Sequence, residues 1–181
     1  MKYNQKIILK NGKEAWLRNG DATDGRAVYE LFNLAHGETD YLLSYPDENS
    51  FDLEQESRFL EEKTNSQNEI EIIAIVDDKV VGSAGIESIG TKYKVRHRAE
   101  FGISVLQEYW GLGLGKALTK ACIECARDAG YAQLELNVVA DNERAVKLYQ
   151  SFGFEEFGRN PRGFNSKVSG YQEVIYMLLQ L

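Results

Sequence analysis

The chain has 181 residues, of which 43% are hydrophobic and 27% are charged, and two of them are cysteines. This composition predicts one globular domain, residues 1–181, and excludes a disordered chain or a disulfide framework. The formal net charge of −7 argues against nucleic-acid binding. Since no apolar run reaches the roughly 18 residues of a membrane span and the N-terminus has no signal-peptide core, we expect a cytoplasmic protein without membrane contacts.

The first half of the chain is predicted to form two hairpins with helices between them. Asn11-Gly12 is a strong signal for a type I′ hairpin turn. Asp52 and Gln55 have the spacing of a capping box at the start of a helix. In chain order, the predicted elements are strands Lys6–Leu9 and Glu14–Arg18, a helix from Thr23 or Asp24 to His36, a short helix or lid at Glu38–Tyr45, a helix from Asp52 to about Lys63, and strands Ile70–Val76 and Lys79–Ile89.

The second half alternates strands and helices before it ends in two strands. Asp141 or Asn142 is placed to cap the second of these helices. The predicted elements are strand Arg96–Val105, a glycine-rich turn, helix Ala117–Gly130, strand Gln133–Val139, a helix that Gly153 closes, and strands Phe154–Gly158 and Glu173–Leu179 around a polar loop at Asn160–Gly170. This order predicts a mixed α+β fold.

Negative charge is concentrated between Glu38 and Glu71. That segment holds eleven acidic and two basic residues, a net charge of −9, so the remainder of the chain carries +2. Such a run is usually a solvated helix face. The alternative is that it lines a site for a cationic ligand, and the composition alone leaves both interpretations open.

The turn between the predicted strand at Arg96–Val105 and the helix after it has the sequence Trp110-Gly-Leu-Gly-Leu-Gly-Lys116. Glycines let backbone N–H groups approach a ligand closely, and a helix N-terminus adds unpaired donors and the positive end of the helix dipole. The turn therefore predicts an anion site of the kind that binds phosphate or pyrophosphate.

Two common nucleotide motifs do not fit this turn. A Walker A loop needs Ser or Thr after the lysine, and Ala117 stands there. The dinucleotide fingerprint G-x-G-x-x-G fails because its third position falls on Lys116 or Leu118. Glu135 follows Gly115 at the spacing of a ribose-binding acid, but it lies within a predicted strand, and we interpret that spacing as a coincidence.

Trp110-x-x-Gly113-x-Gly115 resembles the Q/R-x-x-G-x-G/A turn of the GCN5-related N-acetyltransferases, with Trp in place of Gln or Arg. Asn142-x-x-Ala145-x-x-x-Tyr149-x-x-x-Gly-Phe154 resembles the second motif of that family. The resemblance implies a mostly antiparallel central sheet with flanking helices. It further implies two parallel strands that splay apart around acetyl-coenzyme A (acetyl-CoA), the cosubstrate, with no metal.

The resemblance also implies which residues contact the coenzyme. The strand end would pair with the pantetheine arm, the turn would hold the pyrophosphate, and an N–H near Val105 would face the developing oxyanion. Lys116 and Arg144 either add charge toward the phosphates or are exposed helix residues, and Asn142 is either a coenzyme ligand or a helix cap. The implied contacts are Ile103, Ser104, Val105, Trp110, Gly111, Leu112, Gly113, Leu114, Gly115, Lys116, Asn142, Ala145 and Tyr149.

Two residues are catalytic candidates. Tyr149 is the candidate proton donor to the departing thiolate, because a phenol pKa of about 10 and a thiol pKa of about 8.5 are nearly matched. The alternative is a core tyrosine on an amphipathic helix. Glu100 is the candidate base, because it shares a strand face with the small residues Gly102 and Ser104. The alternative is an ion pair with Arg98.

The remaining reactive side chains have simpler interpretations. Cys122 and Cys125 lie past the first turn of their helix, on its apolar face, and core packing is favoured over a redox role. His36 and His97 are far apart in sequence and predict no metal site.

The leading hypothesis is an N-acetyltransferase acting on a small-molecule or peptide amine, with a cationic amine preferred because of the acidic segment. The alternatives are an N-terminal acetyltransferase of the ribosomal-protein type and a non-catalytic acyl-CoA-binding sensor. A Rossmann oxidoreductase is the most distant. The resemblance also implies a possible homodimer formed through late strands such as Glu173–Leu179.

Overall fold

A computed structural model describes all residues from Met1 to Leu181. The chain forms eight strands and four helices, with single 3-10 turns at Ala22–Asp24, Pro46–Glu48 and Gln107–Tyr109. The elements in order are β1 (Asn4–Ile8), β2 (Glu14–Asn19), α1 (Gly25–Glu38), α2 (Leu53–Asn65), β3 (Ile70–Val76), β4 (Lys79–Ser88), β5 (Arg98–Val105), α3 (Leu114–Asp128), β6 (Gln133–Val139), α4 (Glu143–Ser151), β7 (Glu155–Ser166) and β8 (Gly170–Gln180).

All eight strands belong to one sheet, in the order β1-β2-β3-β4-β5-β6-β8-β7. Every neighbouring pair is antiparallel except β5 and β6, which are parallel. The main hydrophobic cluster includes buried residues of α3 and the sheet, and a smaller cluster of Val28, Leu60 and Ile73 joins α1 and α2 to the sheet. The predicted α+β architecture is confirmed. None of the four helices is long and apolar enough to cross a membrane.

The first hairpin turn differs from the prediction. A type I′ turn needs positive φ at both central residues, but at Asn11-Gly12 only Gly12 has one, +83°. The connection is instead a longer loop, in which the Gly12 N–H donates to the Leu9 carbonyl and the Leu9 N–H donates to the Lys13 carbonyl. A single left-handed glycine after a tight turn is the usual solution for a loop of this length.

The segment after α1 is not a second helix. Helix α1 continues to Glu38, past the predicted end at His36, and residues 39–45 are irregular. Asp40 holds this segment to the β7–β8 hairpin. Its carboxylate accepts hydrogen bonds from Ser166 Oγ (2.7 Å), Ser169 Oγ (2.8 Å) and Gln172 Nε2 (3.2 Å). These side-chain hydrogen bonds hold the segment in place without the backbone hydrogen bonds of a helix.

The stretch predicted as a loop at Asn160–Gly170 is mostly strand. β7 runs to Ser166 and β8 starts at Gly170, with a register irregularity between Asn160 and Phe164. Polar residues and Pro161 are compatible with β7 because it is an edge strand, and one of its sides pairs with no other strand. The loop prediction was wrong because the polar composition of this stretch was interpreted as a sign of irregular structure.

Candidate active site

The two parallel strands separate soon after they begin to pair. β5 and β6 are paired only from Arg98 to Glu100. Hydrogen bonds to β4 at both ends of β5, Leu106 N–H to Val81 C=O and Ile89 N–H to Arg98 C=O, fix which residues face β4. By the alternation of an antiparallel ladder, the N–H and C=O groups of Ile103 and Val105 point into the gap between β5 and β6, whereas those of Ser104 point toward β4.

The glycine-rich turn lies at the end of this gap. Gly111 and Gly113 have φ angles of +78° and +98°, which glycine adopts without strain. Helix α3 starts at Leu114, three residues before the predicted start, and Gly113 offers no side-chain cap. The six consecutive N–H groups from Gly111 to Lys116 therefore have no acceptor within the protein. Unpaired donors at a helix N-terminus form an anion site.

Trp110, the residue that departs from the family motif, joins three parts of this region. Its indole Nε1 donates to the Val105 carbonyl at 2.7 Å. The guanidinium of Arg144, on the first turn of α4, lies 5.5 Å from the centre of its ring. Trp110 therefore braces the turn against the end of β5 and against α4, a role that depends on its ring and its single donor.

Asn142 acts as the cap of α4. Its side-chain Oδ1 accepts a hydrogen bond from the Ala145 N–H at 3.2 Å, which confirms the capping interpretation. The Nδ2 group makes no hydrogen bond within the protein. Lys116 is exposed and forms no ion pair, so both side chains keep free donors beside the gap.

Tyr149 packs between two phenylalanines on the α3 side of the sheet. Its ring centre lies 6.1 Å from that of Phe101 and 5.9 Å from that of Phe154, and the residue is 7% exposed. Its hydroxyl makes no hydrogen bond within the protein. Burial raises the pKa of Tyr149 above its ordinary 10.0, which moves the phenol away from the near match with a thiol and keeps it protonated.

A Gly113→Ala variant tests the turn. Alanine at a left-handed position costs about 1–2 kcal/mol of stability, and a shifted turn loses donors, so we expect the KM for acetyl-CoA to rise about tenfold. Gly130→Ala is the matched control, because Gly130 has φ +80° and open space around it but follows the far end of α3. Equal KM increases in both variants would contradict the assignment.

On the face of the sheet that packs against α1 and α2, two adjoining cavities open over β3, β4 and β5. The first, of about 350 Å³, is lined by the middle of β5, Gly85, His36 and Leu42–Leu43, and we call it the proximal chamber. The second, of about 500 Å³, lies among α1, α2 and residues 44–51, and we call it the distal chamber. The two chambers share four lining residues: Glu71, Ser83, Glu87 and Ser104.

Glu100 lines the proximal chamber and does not form the ion pair with Arg98 that was the alternative prediction. Arg98 pairs instead with Glu135 through two hydrogen bonds of 2.5 and 2.8 Å, so Glu135 has a structural role. Glu100 Oε1 receives only a long contact from Asn137 Nδ2, at 3.4 Å. Burial, followed by the negative charges of Glu87 and Glu135, raises the Glu100 pKa, which makes this carboxylate a stronger base than an ordinary glutamate.

Glu71 is a second carboxylate of the chamber floor, and sequence reasoning did not single it out. Its side chain lies directly above Gly85 of β4, so that a Cβ at Gly85 would meet Glu71 Oε2 at 2.1 Å. Burial raises the pKa of Glu71 from its ordinary 4.5 to about 7, and Glu87 and Glu56 add negative charge nearby. The signal in the sequence was a lone carboxylate within the apolar strand Ile70–Val76, with a glycine on the next strand.

Among the other reactive side chains, the two cysteines have the predicted core positions, and one histidine lines the proximal chamber. Cys122 and Cys125 are free thiols within the core, and burial raises both pKa values. His36 lines the proximal chamber, and its Nδ1 lies 2.8 Å from the Phe32 carbonyl. Burial lowers the pKa of His36. His36 was predicted to end a helix and to bind no metal, and its position in this chamber was not predicted.

Comparison with known proteins identifies the class to which this fold and site belong. Residues 26–154 match the family described as "Acetyltransferase (GNAT) family". This region is more than half of the chain, and the chain belongs to that family. It is 31% identical over 108 residues to the L-amino acid N-acetyltransferase AaaT of Escherichia coli, a match that covers 59% of this chain and 65% of AaaT. In the first four curated relatives, the matched region covers between 16% and 65% of the relative's own length.

Solved structures agree with this assignment. A GNAT-family acetyltransferase from Streptococcus pneumoniae superposes with a TM-score of 0.88 at 28% identity, over 92% of this chain and 99% of that one. The putative acetyltransferase yncA from Salmonella typhimurium, solved with its cofactor acetyl-CoA, gives a TM-score of 0.80 at 22% identity, over 92% and 94% of the two chains. The second match concerns the fold alone.

Proposed function

We propose that the protein transfers the acetyl group of acetyl-CoA to a primary amine, and that its preferred acceptor is a small cationic amine. One observation carries the proposal. A run of unpaired backbone donors, Gly111–Lys116, and an unpaired strand edge open on one side of β5, and an acidic chamber lies on the other. An elongated anionic ligand suits the first side and a protonated amine suits the second.

Acetyl-CoA would lie along the gap between β5 and β6. The pantetheine arm would pair with the backbone groups of Ile103, the Val105 N–H would remain free for the reacting carbonyl, and the pyrophosphate would accept from the N–H groups of Gly111–Lys116. Lys116, Asn142 Nδ2 and Arg144 are placed to add polar contacts at the same end. Acetyl-CoA is a cosubstrate of the reaction, and no metal enters this scheme.

The reaction is a direct attack on the thioester. The acceptor nitrogen loses a proton to Glu100 and forms a C–N bond with the acetyl carbon, while the oxyanion that develops is met by the Val105 N–H. Collapse of that intermediate breaks the C–S bond. Tyr149 then gives its proton to the coenzyme A thiolate, which leaves as the thiol, and the second proton that the acceptor nitrogen loses restores the phenol.

The charges of the chamber favour a cationic acceptor. Of the carboxylates on its floor, Glu87 pairs with Lys63 Nζ at 2.9 Å, and Lys63 also pairs with Glu69 at 2.8 Å. Glu71 and Glu100 have no cationic partner. Two unpaired carboxylates in a partly dehydrated chamber attract an ammonium group and repel a carboxylate.

A panel of amines that differ in net charge tests this preference. At low salt, kcat/KM should be highest for amines with two positive charges and lowest for those that carry a carboxylate. Added salt should reduce the difference, since screening weakens long-range attraction. Equal turnover of cationic and anionic amines at low salt would contradict the proposed preference for cationic acceptors. It would not contradict the proposed acetyl transfer.

The Tyr149→Phe variant separates an enzyme from an acyl-CoA sensor. We expect kcat to fall about tenfold with little change in the KM for acetyl-CoA, because a thiol of pKa about 8.5 leaves moderately well without a proton donor. Stability should change little, because the hydroxyl has no hydrogen-bond partner. Thermal unfolding and steady-state kinetics measure both effects. A wild-type protein that binds the coenzyme but transfers nothing would support the sensor.

A further inference from the structure

The distal chamber contains a buried carboxylate that the proposed reaction does not use. Glu56, on α2, is 6% exposed and lines this chamber. Its carboxylate forms no hydrogen bond or ion pair, and burial alone raises its pKa. A carboxylate with restricted access to water and no partner is stabilised by a cation that enters the chamber.

Asn49 also lines this chamber, but its unpartnered donor is not open to it. The Oδ1 of Asn49 accepts a hydrogen bond from the Phe51 N–H at 3.0 Å, which fixes the orientation of the amide. Its Nδ2 is buried and has no hydrogen-bond partner, and it is the one such side-chain atom in the chain. Of these two groups, the Glu56 carboxylate alone faces the chamber of about 500 Å³.

The walls of the chamber define the rest of the ligand. They include the apolar side chains of Val28, Leu31 and Phe32 from α1, and Phe51 and Phe59, whose rings lie 5.7 Å apart. Methylene groups suit such apolar walls. Glu56 also lies close enough to Glu71 for its charge to raise the pKa of Glu71, so the distal chamber adjoins the acceptor site.

We propose that the distal chamber is a subsite for a second cationic group of the acceptor, so that the preferred substrate is a diamine whose far ammonium group pairs with Glu56. This inference rests on the proposed function, because it assumes that the near amine is acetylated at Glu100.

The register of the sheet sets the length of the diamine. The floor runs from Glu71 on β3 across Gly85 to Gly102 on β5, which are register partners on neighbouring strands. Neighbouring strands are about 4.8 Å apart, so the two ends of the floor are separated by about 10 Å. Since Glu56 lies near Glu71 and Glu100 shares a strand face with Gly102, this span gives about 10 Å as the separation expected between the two ammonium groups.

The test is a series of α,ω-diaminoalkanes of increasing length, each compared with the monoamine of the same length. We expect kcat/KM to rise steeply for diamines whose nitrogens are about 10 Å apart, and monoamines to show no such rise. Glu56→Gln keeps the shape of the side chain and removes its charge. It should lower kcat/KM for the long diamine about ten- to a hundredfold, the loss expected for one charge-assisted hydrogen bond, and change it much less for the monoamine, which Glu56 affects only through the pKa of Glu71.

Glu54→Gln is the matched control, because Glu54 lies on the same helix but is exposed to solvent. It makes the same change in net charge outside the chamber and should leave both substrates unaffected. Monoamines acetylated as well as diamines, or an equal loss with both substrates in Glu56→Gln, would overturn the subsite and leave the proposed function standing. Failure to acetylate any amine would overturn the proposed function and the subsite together.

Discussion

The Glu100→Gln variant is expected to bind acetyl-CoA normally but to transfer the acetyl group about a hundredfold more slowly at neutral pH, the usual contribution of a general base. Glutamine keeps the shape of the side chain and cannot accept the ammonium proton. The effect should fall on kcat, since Glu71 remains to hold the amine. Steady-state kinetics with a cationic amine, together with a coenzyme titration, separates these quantities.

Two comparisons make this result specific to proton transfer. Glu100→Asp retains a carboxylate and should recover part of the lost kcat. Stability should change little in both variants, because the Glu100 carboxylate makes only the 3.4 Å contact with Asn137. If Glu100→Gln raised the KM for the amine without lowering kcat, Glu100 would be an electrostatic contact and another group would take the proton.

The Glu71→Gln variant should be more stable than the wild type at alkaline pH and lose the pH dependence of amine capture. Folding raises the pKa of Glu71 from 4.5 to about 7, so the folded state favours the protonated form. The cost of ionising the buried group is absent below about pH 4.5, grows as the pH rises and is complete above pH 7. Removing the carboxylate should therefore stabilise the protein by about 3 kcal/mol at pH 8 and by almost nothing at pH 4.

The same titration governs the acceptor. An ionised Glu71 attracts the ammonium group, so kcat/KM for the amine should rise with pH through about 7. Glu71→Gln should abolish that inflection and raise the KM for the amine. The other groups that face Glu71, which are Ser83, Glu87, Lys63 and Glu56, stay in place. Chemical denaturation across pH measures the first effect, and Glu54→Gln controls for net charge. An unchanged inflection in Glu71→Gln would assign it to another group.

The coenzyme side of the site could be predicted because its signals are local. Positive φ at Gly111 and Gly113 and the cap at Asn142 depend on a few consecutive residues. The alternation of β5 also placed Glu100 on the face opposite Phe101. The role of Trp110 could not be predicted from the sequence of the motif, since it depends on the positions of Val105 and Arg144 in space.

The acceptor side depends on contacts between residues distant in sequence. Glu71 overlies Gly85 because of the β3–β4 register, and Glu56 reaches the chamber because α2 packs over the sheet. Arg98 pairs with Glu135 and not with Glu100 because β5 and β6 are adjacent there. The acidic run between Glu38 and Glu71 is evident in the sequence, but only the fold separates its chamber-lining members from its solvated ones.

The most direct test compares an amino acid with the amine obtained by removing its carboxylate, each supplied with acetyl-CoA. Product mass and coenzyme A release are measured together, so that acetyl transfer is distinguished from thioester hydrolysis. Our account predicts one acetylated amine for each coenzyme A released, and a higher kcat/KM for the decarboxylated amine, because the acidic chamber repels the carboxylate. Coenzyme A release without acetylated product, or a preference for the amino acid, would contradict it.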